Sequence, residues 1–432
     1  MSAPLPSPPR RSVGALLTRR TGFAILVISL TVPWLTLAWL VRNERTVSSP
    51  ASRPAVAPTA PAVPPEQQDG REGNVHVTSG RWGRLESTRV VIEPPDEAIA
   101  FEVAVYDYTS WFFPGYTEAT LDELFVRADL SPTETAYFRD ASHWVIEPTL
   151  IRLDVSKAII VGLRPATRRL LYAALAVFPE NLAQHSPASF RADSSEAWFA
   201  ASGLTAHTLS VVRPLLYRRG DSLLFSDFLL ILSDIKTPEQ RELLARTLGR
   251  SQSQMVKLRL RPETDIDAVV AYWSTLQHRR NFEPMLRSLL RQSPDATVDI
   301  LHLLPPTARS LLYTYAPPPE SENELQRDCH WTSLNFNLHE FDERYRDVAL
   351  SFQAYRTEYA TVTTEPALGD IYLFVTVDNM VVHSCVHLAG DLVFTKNGSW
   401  EGSPWVIMLL SDVMALYPAD NPLTLRRIRR RI

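Results

Sequence analysis

Two cysteines occur in 432 residues, and the first stands in RDCHWTSLNF, residues 327–336, directly after Asp328. Behind it Trp331, Leu334, Leu338 and Phe341 recur at the spacing of one helical face. A helix that starts near Cys329 buries this stripe and leaves the thiol in its first turn, where unpaired N–H groups and the positive end of the helix dipole favour a thiolate. A nucleophilic thiol also needs a proton acceptor. In MVVHSCVHLAG, residues 380–390, strand alternation puts His383, Cys385 and His387 on one face and Met380, Val382, Ser384, Val386 and Leu388 on the other. An imidazole offered by such a strand to a helix-start thiol can take its proton and later return it to a leaving group.

The surrounding sequence must hold that pair. LGDIYLFVTV (368–377), a break at Asp378-Asn379, residues 380–390 and DLVFTKNG (391–398) read as consecutive antiparallel strands closed by an Asn-Gly turn. PWVIMLLSDVMALY (404–417) reads as a helix opened by Pro404, with Ile407, Leu410, Met414 and Tyr417 facing the sheet. The tail LRRIRRRI (425–432) reads as a charged end, in water or against an anionic polymer.

Asp328-Cys329 at a helix start, Gly369-Asp370 before a strand and His383 on the next strand resemble the order in NlpC/P60-like cysteine hydrolases. That superfamily is papain-like, and its classical members cut peptide bonds in bacterial cell-wall stem peptides. The resemblance spans 321–432 and implies a helix-plus-antiparallel-sheet domain. It makes Cys329 the nucleophile, with its N–H in the oxyanion hole, and His383 the general base and acid. A third polar residue on the following strand falls at Thr395 or Asn397. Asp328, Trp331 and Trp405 are then expected beside a substrate. His330-Trp331 replaces the small residues that follow the cysteine in the family. No cofactor or metal is expected: His383 and His387 on one strand stand about 13 Å apart, too far to share an ion with Cys385 and Cys329. A Cys329–Cys385 disulfide stays open.

The rest of the chain sets the context. Residues 21–41, TGFAILVISLTVPWLTLAWLV, carry no charge and match the ~20 residues that cross a bilayer as a helix. The run is too long for a signal-peptide core, which makes it an uncleaved single-pass anchor. Arg10, Arg11, Arg19 and Arg20 favour a cytoplasmic tail over 1–20, with the bulk of the chain on the periplasmic or extracellular side. Residues 42–73 are a Pro/Ala-rich linker. Residues 74–320 read as a mostly helical accessory domain with a small sheet. Within it SKAIIVGLRPATRRLLY (156–172) and TVDILHLLPPTARSLLY (297–313) suggest a duplicated helical hairpin. A net charge of -4 gives no reason to expect nucleic acid. The expected class is therefore α+β. The expected partners are the membrane and a cell-wall peptide or envelope protein, the latter also suiting a non-catalytic interaction protein that keeps the fold. If the tail is cytoplasmic, protease added to spheroplasts should cut within 46–73 and release a soluble fragment; complete protection reverses the orientation.

Overall fold

The computed structural model describes residues 70–431, with short gaps at 73–74, 101–102, 275–278, 294, 320, 322–323 and 418–421. The tail and anchor expected over 1–41, and most of the linker, lie outside the described residues. No helix among the described residues is long and apolar enough to cross a membrane. The end of the expected linker, Gly70–Glu72, is already an edge strand.

The fold is mixed α+β with antiparallel sheets. A five-stranded sheet orders Gly70–Glu72, Val75–Gly80, Gly83–Ile92, Ser251–Arg259 and Thr297–Asp299. Two three-stranded sheets follow, one from Tyr108–Pro114, Leu150–Ser156 and Trp144–Glu147, the other from Ala188–Arg191, Ser222–Phe225 and Tyr217–Arg219. The region 74–320 thus carries strands in three sheets beside its helices, where one small sheet was expected. Ser251–Arg259 shows why the pattern misled: Gln254, Val256 and Leu258 point inward while Met255 points to water, so polar and apolar residues exchange places at one end of the strand. Local caps, in contrast, follow the sequence. Ser131 and Glu134 close a capping box on Pro132–Phe138.

The two echoing segments differ in their first halves. Ser156 caps the helix Lys157–Gly162, whereas Thr297 lies in a strand that runs into a short 3-10 turn. Their second halves both begin helices at proline, Pro165–Leu175 and Pro306–Leu311. Tyr172 is helical and donates to Asp227, while Tyr313 lies past its helix at φ 63° and donates to the Gln254 carbonyl. Equivalent hairpins are therefore ruled out; the shared feature is a proline-started helix.

The C-terminal segment supplies three helices, α1 (Cys329–Asn335), α2 (Val348–Glu358) and α3 (Leu410–Ala415). Its strands are β1 (Tyr359–Thr361), β2 (Ile371–Val375), β3 (Val381–Ala389), β4 (Leu392–Lys396), β5 (Trp405–Leu409) and β6 (Thr424–Arg430). They form one antiparallel sheet in the order β1-β6-β2-β3-β4-β5. Two expectations change. Residues 405–409 are a strand, because Trp-Val-Ile favours extended backbone and the helix begins only at Leu410. The basic tail is no solvated end: β6 sits between β1 and β2, buries Ile428 and pairs Arg429 with Asp370 at 2.6 Å and Arg430 with Glu358 at 3.1 Å.

One core joins both halves. Trp82, Leu258, Trp273 and Ile300 share a hydrophobic cluster with Trp331, Leu334, Val386, Leu388 and Trp405, so the proline-rich stretch 315–326 runs between segments with a common interior. Ser253 Oγ donates to the Ile407 carbonyl, and Tyr313 N–H donates to the Trp405 carbonyl, which covers the outer edge of β5. Asp370 is fully buried against Arg429, so Asp370→Ala should cost about 2 kcal/mol, less than the about 3–5 of a fully enclosed pair because the arginine can turn to water. Removing the residues from Thr424 on should leave no cooperative unfolding transition by circular dichroism.

Candidate functional site

Asp328 starts α1 by accepting the Trp331 N–H at 2.8 Å, and Cys329 follows, buried at 6% exposure. The helix ends at Asn335, whose side chain bonds the Trp331 carbonyl and the Asp342 N–H. It lies on β3 through Ser384. That hydroxyl is within 3.0 Å of the Cys329 carbonyl, His330 Nδ1, Ser333 Oγ and the Tyr355 hydroxyl. Val386 and Leu388, two and four residues further on, join the cluster that holds Trp331 and Leu334. Ser384, Val386 and Leu388 thus share the helix-facing side, as alternation requires.

His383 belongs to the other side with Cys385 and His387, against Phe374 and Tyr372. It is fully buried. Its ring stacks on Tyr417 at 4.0 Å between centroids, its Nε2 lies 3.1 Å from Thr395 Oγ1, and its Nδ1 has no hydrogen-bond partner. Of the two residues open for the third position, Thr395 therefore meets the imidazole. Asn397 instead places Nδ2 3.2 Å from Met408 Sδ. No hydrogen bond joins the Cys329 thiol to His383, whose ring lies on the face of the strand away from α1. Trp331 and Trp405 pack on each other at 6.0 Å, both fully buried, with Trp405 Nε1 donating to Thr332. Neither ring reaches a surface where a substrate could touch it. Asp328 is half-buried and occupied as a cap.

Electrostatics follow burial more than the helix start. Burial, with Asp328 adding to it, pushes the Cys329 thiol well above its ordinary value, although the Ser384 N–H and hydroxyl work the other way. Burial and then His330 hold His383 well below the usual imidazole range. The expected thiolate is thus replaced by a neutral thiol, and the imidazole is neutral as well, because a seven-residue helix offsets little of the cost of desolvating a charge. Lys396 is also enclosed. Its ammonium donates to the carbonyls of Gly398 and Trp400, and burial brings its pKa down to about 8.

Tyr355 and Lys396 were not singled out from the sequence, and Ser384 and Tyr417 were placed only by the face each occupies. For two of them a signal exists: a serine between Val382 and Val386 on the inward face, and a lysine inside the apolar strand DLVFTK. Comparison with known proteins found no matching family model, no matching curated protein and no matching solved structure.

Buried neutral histidines give the fold a defined acid response. His387, at 3.5 Å from the Tyr272 hydroxyl, is brought down to about 4 by burial. An unfolded histidine titrates near 6.5, so below that pH the unfolded chain binds more protons and stability falls, until the folded value is passed. His387→Gln should therefore remove about 2 kcal/mol of the stability lost between pH 7 and pH 5, read from urea midpoints. Asp227, raised to about 6 by burial, has the opposite sign and cancels in this comparison.

Proposed function

We propose that this chain is a membrane-tethered, envelope-facing thiol hydrolase of amide or peptide bonds, with a cell-wall stem peptide as the substrate class. Cys329 attacks the carbonyl, His383 takes the thiol proton and returns it to the leaving amine, and Thr395 orients the imidazole. The observation that carries this reading is the His383 ring: Nε2 is held by Thr395 while Nδ1 is unpartnered, on the strand that α1 covers but on the face opposite Ser384, so the proton transfer requires the thiol at the start of the helix to turn toward that face. The resting pair is neutral, so the proton moves during attack rather than before it. Thr395 here fills a position where a stronger acceptor would polarise the ring more.

A second reading, an envelope interaction protein that keeps the fold without turnover, is favoured by one specific feature. Cys329 and His383 are both buried, with Tyr417 stacked on the imidazole. Full-length protein in detergent should cleave amide bonds of muropeptide-type substrates. Cys329→Ser and His383→Ala should abolish cleavage, and Thr395→Ala should slow it about tenfold or more. A thiol-directed probe that labels Cys329 only after unfolding, together with no cleavage by the parent protein, selects the interaction reading.

A further inference from the structure

Asp328, Cys329 and His330 offer three different ligand types at one point, and one ligand atom from each lies within 4.8 Å of the other two. We propose that this trio is a binding site for a zinc-class divalent cation, separate from the imidazole of His383. Thiolate, imidazole and carboxylate are the ligands zinc takes, at about 2.0–2.3 Å, which sets tetrahedral donors about 3.5 Å apart. Side-chain shifts on the order of 1 Å close the trio to that spacing.

Charge balance supplies the second argument. A thiolate buried beside a carboxylate is unfavourable without a counter-charge. A divalent ion with one thiolate and one carboxylate is neutral, so its entry removes the penalty and releases the thiol proton to solvent.

Orientation supplies the third. His330 is buried, and its Nδ1 lies 3.0 Å from Ser384 Oγ and 3.2 Å from the Tyr355 hydroxyl, contacts of the kind that fix the orientation of a ligating imidazole. Asp328 spends Oδ1 on the Trp331 N–H and keeps its second oxygen. Lys396 opposes the ion, since its ammonium acts on both Asp328 and Cys329. Its lowered pKa lets it lose a proton as the cation enters.

The inference does not depend on turnover, because its readout is spectroscopic. Full-length protein prepared with chelator and titrated with cadmium should develop a thiolate-to-cadmium charge-transfer absorbance that saturates at one ion per chain and is displaced by zinc. Cys329→Ser should abolish the band. His330→Gln and Asp328→Asn should each weaken binding about tenfold or more, and asparagine keeps the helix cap. Lys396→Met should tighten binding, while His383→Ala and Cys385→Ser should leave it unchanged. The site is overturned by absence of the band at saturating cadmium, by full affinity in both His330→Gln and Asp328→Asn, or by loss of the band in His383→Ala or Cys385→Ser. Cleavage that fails in chelator-treated, metal-free protein while the band behaves as expected removes the hydrolase reading alone.

Discussion

One buried hydroxyl organises the C-terminal half. Ser384 Oγ meets the Cys329 carbonyl, His330, Ser333 and Tyr355, so a single side chain on β3 fixes the start of α1, its second turn and the neighbouring α2. A hydroxyl offers one proton and two lone pairs, three hydrogen bonds in all, which its four neighbours at 3.0 Å must share. Leaving any of these groups unpaired in the interior costs about 1–3 kcal/mol. The position of Cys329 is therefore set from the sheet, through its backbone carbonyl as well as its sulfur.

The same enclosure decides the electrostatics. Helix start, Ser384 N–H and hydroxyl favour a charged thiol; desolvation opposes it and dominates. His383 obeys the same rule with the opposite direction of shift. Chemistry at this point has to proceed between neutral partners, or recruit a charge from outside the chain. Tyr417, stacked on His383 and itself enclosed, extends this dry environment to the far side of the sheet.

Where sequence period and burial coincide, the structure was legible: the alternation of β3, the hairpin through Asp378-Asn379, the helix beginning at Cys329 and the register that brings Thr395 to His383. Legibility failed where tertiary partners override local pattern. Ser251–Arg259 buries Gln254 and exposes Met255 because its neighbours are another sheet and the Tyr313 hydroxyl. Trp405–Leu409 looks helical on apolar spacing alone, yet is extended because the segment before α1 pairs with its edge. The arginine-rich tail reads as solvent-exposed until Asp370 and Glu358, distant in sequence, supply its counter-charges. A lysine within an apolar strand gains meaning only when the carbonyls of Gly398 and Trp400 are seen around it.

The placement of β6 has a consequence for biogenesis. This strand follows every other strand of its sheet in the chain, yet lies between the first two. Until it has been synthesised, β1 and β2 have no partner on their facing edges, and the apolar groups beneath them stay open to solvent. Long-range pairing of this kind is slow and leaves unpaired edges exposed to aggregation. Completion of the half that carries Cys329 is thus a late event, and a ribosome-bound chain holds the thiol in an unfinished sheet.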